Sequence, residues 1–261
     1  MRVVSLASGS SGNCTFIESE HTRLLIDAGL SRRQVLQRLE KILGLLPRID
    51  AIFVTHEHTD HTSGLGRLAS TLECPIYASE RTIPTLEPVL KGREVLRSFK
   101  PGQVFQMRDV CIEPFRISHD AVEPCGFLVE EESLFNNLNK RVGLATDLGV
   151  VTDEIRRRFQ QCDLVLLEAN HDVEMLLNGT YPEDLKRRIR SEVGHLSNDD
   201  AGRAFAYLAQ QGRLRTAVLM HLSKNNNRPQ LALETVQQHL NGASVEIAVA
   251  PRDRMSAVFT V

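Results

Sequence analysis

The chemistry of this 261-residue chain concentrates in one stretch, His56-Glu57-His58-Thr59-Asp60-His61. Residues two apart in an extended segment point to the same side, so His56 and His58 can clamp one ion. The chain then turns towards a helix, where Asp60 and His61 can face a second ion nearby. Imidazole with carboxylate suits Zn²⁺ or Mn²⁺, and Fe²⁺ as well. Four protein ligands cannot fill two ions, so further ligands are expected elsewhere. His119 in ISHDA, Asp147 in LATDLG and His221 in MHLSKNN are ligand-type residues. Each alone reads as an ordinary polar residue; with the histidine-rich stretch they complete a set.

All of them sit at the exits of predicted strands, where sites are commonly built. Asp50–Thr55 is a short apolar run typical of a buried strand and ends at His56. Val110–Ile117 precedes His119, Val142–Thr146 precedes Asp147, and Thr216–Met220 precedes His221. Arg2–Ala7, Cys14–Glu18 and Arg23–Ile26 read as further strands, the last two a hairpin turning at Glu20-His21. Pro75–Ala78, Val104–Met107, Cys125–Glu130, Leu164–Glu168, Ser244–Val249 and Ala257–Val261 complete the strand list, with Glu130–Lys140 as an extended hairpin. Apolar residues at helical spacing predict a helix over Leu30–Leu45. Other helices are expected at Ser63–Thr71, Arg81–Leu90, Thr152–Gln160 (capped by Thr152), Pro182–Glu192, Asn198–Gln211 and Arg228–Leu240. With no linker, repeat or low-complexity block, residues 1–261 read as a single layered α/β domain, two sheets between helices.

Bulk composition narrows the function classes. A net charge of −2 makes the whole chain no electrostatic match for nucleic acid, so polyanion binding requires a local patch or bound cations. Five scattered cysteines without a CxxC pair argue against a disulfide framework or a cysteine zinc knuckle and read as small core residues in a reducing compartment. The opening MRVVSLASGSSGNC lacks the apolar core of an export signal, and no run reaches the length of a membrane span. A cytoplasmic protein without a membrane partner is expected; nothing identifies a protein partner or oligomeric state.

Taken in order, Asp27 in LLIDAG, the HEHTDH stretch, His119, Asp147 and His221 resemble the metallo-β-lactamase superfamily over essentially the whole chain. The resemblance implies a four-layer αβ/βα sandwich, two mixed β-sheets flanked by helices, with the site at one sheet edge. It implies that His56, His58 and His119 hold one metal, that Asp60, His61 and His221 hold the other, and that Asp147 bridges them. Asp27 would orient the metal loop without binding metal. An aspartate at 147 disfavours antibiotic hydrolysis and resembles the phosphodiesterase and nuclease branch. SLASGSSGNC, Leu167-Glu168-Ala169-Asn170-His171-Asp172 and Gly194-His195-Leu196-Ser197-Asn198 resemble the YycJ/WalJ-type subgroup, associated with DNA exonuclease activity. Similar signatures occur in PhnP-type cyclic-phosphate phosphodiesterases, whose cysteine-rich zinc site has no counterpart here.

The implied activity is a metal-dependent phosphodiesterase acting on nucleic acid, a 5′→3′ DNA exonuclease. Two cations would acidify a bridging water for in-line attack on phosphate, with Asp60 accepting its proton. By the same resemblance His195 would protonate the leaving oxygen, and Glu168 and His171 would support the site from behind. Ser8, Ser10, Asn13 and Ser197 are candidate phosphate contacts, as are Lys224, Asn225 and Asn227 beyond His221. Lys186-Arg187-Arg188-Ile189-Arg190 and Arg156-Arg157-Arg158 read either as solvated helix faces or as tracks for a nucleic-acid backbone. A small-molecule cyclic phosphodiesterase or a glyoxalase-type thioester hydrolase would use the same ligands.

Overall fold

A computed structural model describes residues 1–44, 48–132 and 139–261. Six strands enter one sheet in chain order: β1 (Arg2–Ala7), β2 (Cys14–Glu18), β3 (Arg23–Ile26), β4 (Ala51–Phe53), β5 (Ile76–Ser79) and β6 (Leu96–Phe99). Seven build the other: β7 (Phe105–Met107), β8 (Val110–Arg116), β9 (Cys125–Glu131), β10 (Lys140–Ala145), β11 (Leu164–Glu168), β12 (Thr216–Met220) and β13 (Glu246–Val249). The last strand, β14 (Phe259–Thr260), returns to pair with β1. Spatial order is β14-β1-β2-β3-β4-β5-β6 and β13-β12-β11-β10-β9-β8-β7. Both sheets are mixed, with β3 to β6 parallel in one and β10 to β13 parallel in the other.

Strand alternation assigns the layers. Leu24 and Ile26 of β3 join Phe127, Val142 and Leu166 in a core between the sheets, while Leu25 turns outward. There it meets Val35 and Leu39 of α1 (Arg32–Leu43) and, beyond the short α2 (Thr59–Thr62), Leu65 and Leu68 of α3 (Leu65–Leu72). On the far face Val165 and Leu167 of β11 pack against α4 (Asp153–Phe159) and, further along the chain, α7 and α8. Between α4 and those come α5 (Val173–Asn178) and α6 (Glu183–Ile189); α7 covers Asn198–Gln210 and α8 Pro229–Leu240. The result is the expected helix–sheet–sheet–helix order. Phe53 anchors the middle, stacked on Tyr77 at 4.7 Å and edge-on to Phe127 at 5.6 Å, contacts of about 0.5–1.5 kcal/mol each beyond burial. Helix ends follow local chemistry: Ser31 with Gln34, and Ser197 with Asp200, close capping boxes, and Thr152 caps α4, each worth about 1 kcal/mol. No helix among the described residues is long and apolar enough to cross a membrane.

Several expectations change. The helix expected over Arg81–Leu90 is a 3₁₀ segment, Ile83–Val89, because Pro84 and Pro88 lack the N–H groups a regular helix needs. β6 and α5 were not anticipated: β6 is three-quarters exposed and is ordered by its parallel register with β5, and α5 is a short turn of helix capped by Asp172. Residues 45–47, the end of the helix expected over Leu30–Leu45, and residues 133–138, the tip of the expected hairpin, lie outside the described residues. All five cysteines are free; Cys111 is not core but half-exposed beside Glu132.

Candidate metal centre

The carboxyl ends of β3, β4, β10, β11 and β12 meet at one edge of the sandwich, the position where parallel strands present loops to ligands. Asp27 follows β3 directly, His56 lies just beyond β4, Asp147 lies two residues past β10, Glu168 ends β11 and His221 follows β12. Asp27, Asp147 and His221 adopt left-handed backbone conformations, with φ of 63°, 60° and 53°. Such strain in non-glycine residues persists only where the surroundings enforce it, and it is concentrated at functional sites.

The histidine-rich loop is pressed onto the Asp27 loop. Asp27 N–H donates to Phe53 O at 2.7 Å and Ala28 N–H to His61 O at 2.8 Å. Any Cβ on Gly29 would sit 1.6 Å from Asp60 O, so only glycine permits this approach. Asp27 Oδ1 accepts from Thr55 N–H at 2.8 Å, and Oδ2 is hydrogen-bonded to His61 Nδ1 at 2.7 Å. That bond commits Nδ1 and turns Nε2 towards Asp147 Oδ2, 3.1 Å away.

Three groups of donors converge, each with its ligand atoms within 4.8 Å of one another: His56, His58 and His119; His56, His61 and Asp147; and Asp147, Glu168, His195 and His221. Glu168 and His195 thus stand closer to the cluster than the sequence suggested. Asp60 stands at its rim, outside these groups, with Oδ2 at 3.5 Å from His61 Nε2 and 3.8 Å from His221 Nε2. His56 Nε2, Asp147 Oδ2 and both ring nitrogens of His221 are buried without a hydrogen-bond partner among the described residues. Buried polar atoms left unpaired are costly, and these belong to imidazole and carboxylate donors of the converging groups. The donor set therefore fits divalent ions, and the cluster is able to hold them.

Electrostatics divides the imidazoles. Burial pushes His56 well below its ordinary value, helped by neighbouring His61, and burial likewise lowers His119. Both shifts favour the neutral ring that metal binding requires, whereas an ion would have to displace the proton of the next two, His61 and His221. Burial also opposes charge on His61, but Asp27 and Asp147 outweigh it and raise that ring. The same competition at His221 ends at about 10, with Asp147 the chief opposing charge. Burial would raise Asp147, yet His221 and His61 hold it well below the carboxylate range. Glu168 is held at about 2 against its burial, chiefly by His195.

Glu168 organises the far side. Its Oε1 is hydrogen-bonded to His195 Nδ1 at 2.8 Å, and Oε2 accepts from Leu148 N–H at 3.0 Å and Leu196 N–H at 3.3 Å. His171 is buried, and its Nδ1 has no hydrogen-bond partner among the described residues. Its main chain pairs with Ser197 and accepts from Asn198 N–H at 2.8 Å.

The expected phosphate contacts separate into two kinds. Ser8 is buried and accepts from His221 N–H at 2.7 Å, Asn13 Oδ1 accepts from Gly9 N–H while its amide reaches Asp60, and Ser197 caps α7. Ser8, Asn13 and Ser197 thus hold partners within the protein, which gives them a supporting role in the loops. Ser10, Lys224 and Asn225 are exposed. The basic runs are partly paired within the protein, while Arg157 and Arg190 stay exposed. Lys186 is buried, donating to Leu177 O at 2.7 Å, Arg187 pairs with Asp184 and Arg188 with Asp120. Arg156 pairs with Asp153, and Arg158 with Glu113 and Glu154.

Residues to which sequence reasoning gave no such role hold the loops. Asn170 Nδ2 donates to His221 O at 2.9 Å, and Asn227 Nδ2 donates to Asn198 Oδ1 at 2.8 Å and bridges to Ala169 O and Asn170 O. Glu57 Oε1 accepts from Val122 N–H at 2.8 Å, tying the histidine loop to the loop after His119. Asn170 and Glu57 lie inside the two singled-out motifs, the one available signal.

Two mixed sheets in this order, with imidazole and carboxylate donors on their common edge, define the metallo-β-lactamase fold. Residues 22–222 match the family model described as Beta-lactamase superfamily domain, and the chain belongs to that superfamily as one of its hydrolases. It is 38% identical over 237 residues to "Exodeoxyribonuclease YycJ" of Bacillus anthracis, covering 90% of this chain and 87% of that protein. It is also 38% identical over 248 residues to "Exodeoxyribonuclease WalJ" of Streptococcus pneumoniae, covering 94% and 90%. The crystal structure of the metallo-β-lactamase fold protein YhfI from Bacillus subtilis superposes with a TM-score of 0.69 at 19% identity, covering 98% of each chain, a likeness of fold.

Proposed function

We propose that residues 1–261 act as one catalytic domain, a metal-dependent 5′→3′ exonuclease on DNA that cleaves phosphodiester bonds by in-line attack of water. The observation that carries this reading is the convergence of the three donor groups on unpaired, buried ligand atoms; the exodeoxyribonuclease relatives supply the substrate class. His56, His58 and His119 would hold one divalent ion, and His61 and His221 the other, with Asp147 shared. Zn²⁺, Mn²⁺ and Fe²⁺ all suit these ligands. When bound, the ions supply Lewis acidity for water and phosphate.

The remaining steps belong to the chain. Asp27 fixes the tautomer of His61 through the 2.7 Å contact. Asp60, steadied by Asn13, lies beside both His61 and His221 and accepts the proton of the attacking water. Glu168 raises His195 against the burial that lowers it, so the ring keeps a proton for the departing oxygen. Ser10, Lys224 and Asn225 at the exposed rim contact the phosphate backbone.

Metal-stripped protein reconstituted separately with Mn²⁺ and Zn²⁺, given 5′- and 3′-labelled DNA and RNA beside bis-p-nitrophenyl phosphate, tests the reading. Stepwise shortening of DNA from the 5′ end, lost in Asp147→Ala, is expected. A small-molecule phosphodiesterase is the second reading, favoured by the net charge of −2; cleavage of the small diester alone would select it.

A further inference from the structure

A cavity of about 210 Å³ opens beside the donor cluster, and His119 and His195 form part of its wall. The opposite wall is Tyr181, Leu185, Ile189 and Val193, from α6 and the segments on either side of it. Ser10 and Ser223 place hydroxyls along a third side. Asp120 and Arg188, paired with each other, also border the cavity.

We propose that this cavity seats the nucleoside of a single, unpaired terminal nucleotide, with the Tyr181 ring as its stacking surface. The inference rests on the nuclease reading for the identity of the substrate, and it adds where the chain end lies and what form it must take.

Three observations lead there. First, the cavity shares His119 with the donor cluster and His195 with the candidate proton donor. A group covalently next to the reacting phosphate would therefore enter it. Second, its walls divide as a nucleoside does. A base has apolar faces, which suit Tyr181, Leu185 and Ile189, and a polar edge, which suits Ser223; stacking on an aromatic ring tolerates every base. Third, its volume lies below the roughly 300–1,000 Å³ of sites for drug-sized ligands. That is room for one nucleoside and not for a base pair, so the terminal nucleotide must leave its partner strand.

The wall is also rigid where it needs to be. A Cβ on Gly194 would lie 2.2 Å from Arg188 O and Ile189 O, so the end of α6 presses directly on the residue preceding His195. Lys186 Nζ donates to Leu177 O, joining α6 to α5, and Asn225 Nδ2 donates to the Tyr181 hydroxyl at 3.1 Å, joining the wall to the loop after His221. None of these residues is required by the fold's core, so the segment is free to serve the substrate.

The test uses full-length, metal-reconstituted protein and single-stranded oligonucleotides whose terminal residue is either natural or abasic. Wild type is expected to favour the natural end by about tenfold or more in kcat/KM, the value of one stacked base. In Tyr181→Ala and Leu185→Ala the ratio should approach one, while Tyr181→Phe, which keeps the ring, should retain it. Equal cleavage of both ends by wild type, or an unchanged ratio in Tyr181→Ala, would overturn the proposal. Saturation-transfer NMR with dAMP and with deoxyribose 5-phosphate gives a readout independent of turnover. Saturation of the adenine protons that is lost in Tyr181→Ala supports the cavity even if DNA is never cleaved, an outcome that would reject only the nuclease reading. Absence of adenine saturation in wild type rejects the cavity even if DNA is cleaved.

Discussion

His221 Nδ1 lies 2.9 Å from Asp147 Oδ1, yet this nitrogen has no aligned hydrogen-bond partner. Both residues hold left-handed backbones at the exits of β10 and β12, the strands on either side of β11. Donor atoms this close are spaced as two ligands of one ion would be. Asp147→Ala should therefore lose most bound metal and essentially all hydrolysis. Metal analysis after dialysis checks the first. The gain in Tm that metal gives wild type by binding only the folded state should also vanish in the variant.

Asp27 acts one step back, through His61 Nδ1 at 2.7 Å. Asp27→Asn should weaken metal affinity by about 10- to 100-fold, the usual cost of removing a partner that orients a ligand. Competition with a chelator of known affinity measures it, and unchanged affinity would remove Asp27 from the design.

His195 is held by Glu168 at 2.8 Å, with its own charge favoured. His195→Gln should lower kcat on DNA by about 10²- to 10⁴-fold while sparing bis-p-nitrophenyl phosphate, whose leaving group departs as a stable anion and needs no proton. An equal loss on both substrates would mean that His195 supports metal or structure instead.

His171 offers a pH test in chelator-treated protein. Burial pushes its imidazole down to about 4, from an ordinary 6.5. The unfolded chain takes up a proton first as pH falls, so this residue's contribution is complete above 6.5 and is lost towards pH 4. The full shift corresponds to about 3 kcal/mol. Denaturant titrations at pH 7 and pH 5 should show a steeper loss for wild type than for His171→Gln. Parallel losses would place the effect elsewhere.

Much of this was readable from local pattern. Continuous apolar runs mark β4, β11 and β12 because each is covered on both faces, and ligand-type residues at their exits stand out against such runs. What stayed hidden depends on partners distant in sequence. Ser8 and Asn13 sit in a loop rich in small polar residues, which suggested phosphate; which donor a hydroxyl meets is decided by the loop after β12, some 200 residues away, where Ser8 accepts from His221. Tyr181 carries no pattern at all, and the basic run shows Arg188 only as a cation until α6 is folded and it meets Asp120. Arg158 of α4 read as part of a solvated helix face or a nucleic-acid track, but it pairs with Glu113 of distant β8.

The donors are divided between the two halves of the sandwich: His56, His58 and His61 come from the sheet of β1 to β6, and His119, Asp147, Glu168 and His221 from the other. Two of the three donor groups, His56 with His58 and His119, and His56 with His61 and Asp147, are complete only when both halves meet. During synthesis the last of these groups, His221, leaves the ribosome only when most of the chain has been made, and β14 must still return to β1. Full occupation of all three donor groups is therefore expected only late in assembly, once both sheets have met.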